Sequence, residues 1–145
     1  AGAPLSRLHR AIYADKPFST LALWGRMLHG IGQRRDGRIV HAAQTLAMLA
    51  ETDSEPSATE GFVDLLASTK DGEITVLFKE TDASHVRVSV RTASRADAVA
   101  ITSAFGGGGH ARAAGCSLDV PLAEAERRVL DECERELDRA DARGR

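Results

Sequence analysis

The chain has 145 residues, 43% of them apolar, and a formal net charge of −2. That is enough for one domain with its own core, and too little positive charge for a general polyanion binder. No apolar run approaches the ~20 residues that span a bilayer, no signal peptide is visible, and Cys116 and Cys133 are too few for a disulfide framework or a Cys-x-x-Cys site. The expectation is a cytoplasmic protein with no membrane partner, and with both cysteines small and apolar in a reducing compartment.

Leu5, Leu8, Ile12 and Tyr13 recur at helical spacing, with Pro4 suited to a first turn. Leu21, Trp24, Leu28 and Ile31 predict a second helix, which stops in the glycine-flanked stretch 30–37, where Arg34-Arg35-Asp36-Gly37 reads as a turn. Arg38 to Ala43 reads as a short strand, and Leu46 to Leu49 as an ambiguous segment compatible with a helical turn. Thr52 to Ser57 is a loop. Ser57 and Glu60 have capping-box spacing ahead of a helix whose inner face is Phe62, Leu65 and Leu66.

The clearest β signal follows. Ile74, Val76 and Phe78 alternate with Thr75, Leu77 and Lys79, and after Thr81-Asp82-Ala83-Ser84 the valines Val86, Val88 and Val90 alternate with Arg87, Ser89 and Arg91. This predicts a hairpin, with the valines on one face and Arg87, Ser89 and Arg91 on the other. Ser94 and Asp97 read as caps of a helix that turns Ala98, Ile101 and Phe105 inward. A strand over 115–120 comes next. Pro121 then opens a last amphipathic helix with Leu122, Ala125, Val129, Leu130, Cys133 and Leu137 inside, and an outer charge array read as solvated and fraying. The fold class is α/β, a mixed sheet containing an antiparallel hairpin and flanked by helices.

Between the last two elements lies the most informative run, Phe105-Gly106-Gly107-Gly108-Gly109-His110-Ala111-Arg112-Ala113-Ala114-Gly115-Cys116. Glycine reaches positive φ freely and leaves its amide unshielded, so such a bend can curl around an anion. A cation, His110 or Arg112, follows on what reads as a short helical turn, which adds a helix start to the expected phosphate cradle. Charge agrees: residues 53–82 hold eight acids against two lysines, whereas residues 85–118 hold Arg87, Arg91, Arg95 and Arg112 against Asp97 alone. Candidate ligand contacts are Ser89, Arg91, Gly106, Gly107, Gly108, Gly109, His110 and Arg112. Arg91 is favoured because a guanidinium grips phosphate bidentately, and Arg87 is read as the wet face of the sheet. His9, His29, His41 and His85 are scattered and read as ordinary surface or half-buried histidines. The spacing shows no carboxylate–histidine cluster for a divalent metal. Cys116, six residues after His110, is a weak nucleophile candidate with no evident base.

The string Gly106-Gly107-Gly108-Gly109-His110-x-x-Ala113-Ala114-Gly115 resembles the signature of the DHH-associated domain of the DHH phosphoesterase superfamily. Val88 to Thr92, Asp97 to Ile101 and Phe105-Gly106 resemble the branch that degrades very short RNAs, the nano-RNases, which often also act on 3′-phosphoadenosine 5′-phosphate. Thr59 to Val63 and Phe78-Lys79-Glu80 fit the same branch. RecJ-like exonucleases and cyclic-dinucleotide phosphodiesterases share similar signatures, whereas the alanyl-tRNA-synthetase type lacks the Ala-Ala-Gly continuation. The resemblance implies that residues 1–36 are helices leading from a DHH catalytic domain and that residues 37–145 are the substrate-binding domain. It implies that the catalytic metals, usually manganese, belong to the DHH domain, with no cofactor in this chain and no turnover by it alone. The implied partners are a short RNA or phosphate-bearing nucleotide, the DHH domain, and a second copy in a homodimer. The alternatives are a stand-alone nucleotide-binding regulatory module, the corresponding domain of a cyclic-dinucleotide phosphodiesterase or RecJ-like exonuclease, and an autonomous hydrolase using His110 and Cys116.

Overall fold

A computed structural model describes residues 16–93 and 95–144. The helix expected over Leu5 to Tyr13 and the Ser94 cap lie outside the described residues. The elements are α1 (Phe18–His29), β1 (Gly32–Arg34), β2 (Ile39–Gln44), α2 (Leu46–Thr52), a 3-10 turn (Pro56–Thr59), α3 (Phe62–Ala67), β3 (Ile74–Asp82), β4 (His85–Thr92), α4 (Ala98–Ser103), β5 (Gly108–His110), β6 (Ala113–Leu118) and α5 (Leu122–Arg143).

The strands form one sheet in the order β1-β2-β3-β4-β6-β5. Only the β2–β3 pairing is parallel; the crossover between those strands carries α2 and α3, as a parallel connection requires. The hairpin of β3 and β4 is the centre of the fold. On one face Val76, Phe78, Val86, Val88 and Val90 pack under Ile101 of α4 and Val129, Cys133 and Leu137 of α5. On the other, Ala42 and Leu77 pack under Leu23 and Met27 of α1, Leu49 of α2, and Phe62 and Leu66 of α3.

Several local expectations are corrected by this packing. In α1 the buried stripe is Thr20, Leu23 and Met27, while Leu21 and Leu28 are exposed. The helix is apolar on two adjoining stripes, so periodicity alone does not fix its phase. Trp24 sits at the boundary, half-buried, its indole N–H donating to the Ala58 carbonyl at 2.8 Å and its ring edge-on to Phe62 at 5.3 Å. The Ser57–Glu60 capping box does not form. Pro56 starts a 3-10 turn whose Ser57 carbonyl accepts the Glu60 N–H at 3.0 Å, and Gly61, at φ +81°, interrupts the chain before α3. Leu65 consequently faces outward, and Val63 is buried instead. Asp97 does cap α4, its carboxylate accepting the Val99 N–H at 2.8 Å.

The outer array of α5 is an organised network that holds the helix to Arg143 rather than a fraying end. Glu136 has no exposed side chain; its carboxylate accepts Arg139 Nε at 3.0 Å, Arg143 Nη2 at 2.6 Å and the Asp97 N–H at 3.1 Å. A buried charge with all its partners is tolerated, but a weakened set of partners leaves desolvation uncompensated. Glu136→Gln is therefore expected to cost about 2 kcal/mol in urea unfolding, because the amide replaces one acceptor oxygen with a donor facing the guanidinium of Arg139 or of Arg143.

Candidate functional site

The helices α1 to α3 cover β2, β3 and, through α3 and its Asp64, the Arg91 end of β4 on their sheet face. Over the Arg87–Ser89 part of β4 and over β6 a cleft is left open. Register places three rows of side chains across that face: Lys79, Arg87 and Ser117; then Leu77, Ser89, Gly115 and Gly108; then Thr75, Arg91, Ala113 and His110. A cleft of about 520 Å³ lies here, bordered by Lys79, Arg87, Ser89, Ser117 and the Gly106-Gly107 bend.

Lys79 and Arg87 are directly opposite neighbours on the antiparallel pair. Among the described residues neither makes a salt bridge or a side-chain hydrogen bond, in contrast to Arg26, Arg34, Arg35, Arg38 and Arg91, which all meet carboxylates. Like charges placed opposite one another destabilise a sheet. Their juxtaposition depends on a bulge. Asp82 pairs with His85, but between Glu80 and Asp82 the register shifts by one residue, so that Lys79 meets Arg87 rather than Val88. The Thr81 hydroxyl donates to the His85 carbonyl at 3.0 Å across that irregularity.

Burial, and then the nearby Arg87 guanidinium, hold the Lys79 ammonium below the ordinary lysine range, with Glu60 opposing. The sign follows: a folded-state value below the unfolded one means that charged Lys79 costs stability at neutral pH. That cost is relieved as pH rises through the depressed folded value toward the unfolded one. The Lys79 contribution to stability is expected to increase over that alkaline window while anion affinity falls, a divergence that urea melts and titrations at matched pH values would show.

The expected site residues are not all in one place. Ser89, Gly106 and Gly107 border the cleft. Gly108 and His110 lie in β5 on the same sheet face, both exposed, and Gly109 points the other way beside Ala114. Arg91 gives its Nε to Asp64 Oδ1 at 3.2 Å and borders a separate small pocket near Glu73 and Thr92. Arg112 donates to the Ala96 carbonyl at 3.1 Å. The short helical turn expected at His110 is instead an extended hairpin edge, Gly108–His110 turning through Ala111 and Arg112 into β6, so no helix start contributes there.

The glycines act mainly through what they lack. The amides of Gly106 and Gly107 are already used, donating to the Ser103 and Thr102 carbonyls at 3.1 and 3.0 Å and finishing α4. Gly106 takes φ +72°. A Cβ on Gly107 would stand 2.3 Å from the Gly115 carbonyl oxygen, and one on Gly109 2.6 Å from that of Ala113. Around Gly108 nothing lies within 4 Å of a Cβ position. Together with Gly115 it leaves a bare strip of peptide beside Ser89.

Burial pushes the Cys116 thiol up to about 11, so it is protonated at neutral pH and a poor nucleophile. Among the described residues no three His, Cys, Asp or Glu side chains stand where they could share a metal ion. No helix among the described residues is long and apolar enough to cross a membrane.

Residues 40–138 match the DHHA1 domain family, and the chain belongs to it, as a DHH-associated domain of the DHH superfamily. An exopolyphosphatase-related protein from Bacteroides fragilis is structurally similar over 97% of this chain, with a TM-score of 0.85 and 22% identity. This chain covers 41% of that protein's length. The C-Ala domain of alanyl-tRNA synthetase from Aquifex aeolicus is similar over 70% of this chain and 96% of its own, with a TM-score of 0.51 and 13% identity. At these identities the likenesses establish a shared fold.

Proposed function

We propose that this domain holds the phosphate of a short oligoribonucleotide or nucleoside phosphate for a DHH-type phosphoesterase. The observation that carries this reading is the Lys79–Arg87 pair, two adjacent cations that form no salt bridge among the described residues, at the rim of an open cleft in an acidic protein. A ligand phosphate supplies the missing counter-charge, and Arg87 can bind it bidentately. The Ser117 hydroxyl lies in the same row and the Ser89 hydroxyl in the neighbouring one. The bare strip at Gly108 and Gly115 lets a sugar or base approach the backbone closely, and His110, with Arg91 further in along its row, meets the far end of that moiety. Arg112 stays with Ala96 and supports the β5–β6 turn.

In this reading bond cleavage belongs to a DHH catalytic domain with its manganese ions. This chain binds, orients and neutralises. Membership of the DHHA1 domain family supports that division of labour. Calorimetric titration of the chain with a 5′-phosphorylated diribonucleotide tests it. The expected result is binding that weakens as salt rises, as phosphate contacts do. An absence of heat and of any thermal stabilisation at millimolar ligand would overturn it.

A further inference from the structure

Arg91 is held less firmly than the arginines that tie the fold together. Its Nε donates to Asp64 Oδ1 at 3.2 Å and its Nη1 to the Val90 carbonyl at 3.3 Å, while its Nη2 has no acceptor among the described residues. Arg38, by contrast, gives Nε to Glu73 at 2.6 Å and its two Nη atoms to Asp141 at 3.0 and 2.7 Å. Glu73 borders the same small pocket as Arg91 but is already taken by Arg38. The Asp64 side chain is 68% exposed. Helix α3 does not need that ion pair to stay in place, because Phe62, Val63 and Leu66 bury its inner face. An exposed pair of this kind shifts an equilibrium about fivefold at most, so an arriving anion can displace it.

The other direction open to Arg91 is across the sheet. Its register partner on β6 is Ala113, and beyond Ala113 stands His110 on β5. Arg91 and His110 therefore flank a single methyl group, their backbones about 10 Å apart at two strand spacings, and a phosphate over Ala113 can be met from both sides. Asp64 lies on the α3 side and draws the guanidinium away from that place. We infer that Asp64 is an internal competitor for the ligand phosphate: it parks Arg91 while the face is empty and yields it to an anion lying over Ala113. Asp64 is thus a positioning residue that acts through Arg91, and it holds the affinity for a phosphate below what an unparked guanidinium would give. The inference rests on the anion-seat reading and adds a brake to it.

Calorimetric titration of the full chain with a 5′-phosphorylated diribonucleotide reads the competition. Asp64→Asn keeps the side-chain shape and removes the charge, and it should bind about threefold more tightly than the unaltered chain. In an Arg91→Ala background the same Asp64→Asn change should move affinity by less than about 1.5-fold, since a competitor has nothing left to compete for. A carboxylate that merely repelled the ligand through space would give the same gain with or without Arg91. Unchanged or weaker binding by Asp64→Asn, or an equal gain in both backgrounds, overturns the inference while leaving the anion seat at Lys79 and Arg87 standing. Failure of the unaltered chain to bind removes the seat itself, and the competition with it.

Discussion

The double variant Lys79→Ala/Arg87→Ala is expected to lose diribonucleotide affinity by on the order of a hundredfold or more while becoming slightly more resistant to urea. Each charge-assisted contact to a phosphate is worth about 1.5–3 kcal/mol, and every ~1.4 kcal/mol is a factor of ten. Stability moves the other way because the two cations face each other without a salt bridge, and burial and the Arg87 charge outweigh the opposing Glu60 at Lys79. Removing such a repulsion contributes about 0.2–1 kcal/mol on a sheet. A residue pair that weakens the fold and strengthens ligand binding is a functional signature, since packing alone does not retain it. Calorimetry and urea melts on the same preparations give both numbers. Unchanged affinity would move the anion seat elsewhere. Arg91→Ala is expected to lose less, because Asp64 already occupies that guanidinium at 3.2 Å.

Gly107→Ala is expected to be the most damaging single change in the loop, costing about 3 kcal/mol or more. The new methyl would lie 2.3 Å from the Gly115 carbonyl oxygen and 2.5 Å from Cys116 Cβ. The first obstacle is backbone in the middle of β6, where nothing flexible can yield, so the strain goes beyond ordinary overpacking. For a domain this size each kcal/mol lowers Tm by roughly 2–4 °C, so a drop of about 6–12 °C is expected in thermal melts. Gly108→Ala is the matched control. Its methyl meets nothing within 4 Å, so Tm should hold or rise slightly as the unfolded chain loses freedom. Ligand affinity should nevertheless fall, because the methyl occupies the bare strip. A Gly108→Ala variant with wild-type affinity would mean that the ligand does not lie on β5.

Most of the elements described could be read from the sequence because their patterns were unambiguous. Strict alternation of Val86, Val88 and Val90 allows one strand orientation, and Pro121 followed by Ala125, Val129, Cys133 and Leu137 allows one helix phase. The misread elements carried two compatible patterns. Helix α1 has two apolar stripes, and the run at 57–66 contains both a capping pair and a helix-breaking Gly61. Strand β1, Gly32–Arg34, has too little apolar content to show periodicity, and it exists because β2 offers it an edge. The candidate site was half legible. The glycine run announced itself, but its Gly106 and Gly107 amides are consumed by α4 and its close contacts depend on long-range pairing with β6. Lys79 beside Arg87 could not be seen, because a regular hairpin closed at Asp82 and His85 sets Lys79 opposite Val88. A single bulge decides the matter, and bulges leave little trace in composition.

The turn between β1 and β2 also fixes how the chain comes together in time. Arg34, Arg35 and Arg38 reach across to Asp131, Glu134, Asp138 and Asp141 of α5, bonds that join residues 97 to 103 positions apart. Those clasps, and the lid that Val129, Cys133 and Leu137 place over Val76 and Val88, exist only once the last helix has left the ribosome. Until then a nascent chain presents a bare valine-rich sheet to solvent or to a chaperone. Loops this long close slowly compared with local turns. Synthesis that stalls before residue 129 therefore yields an aggregation-prone fragment rather than a smaller working domain.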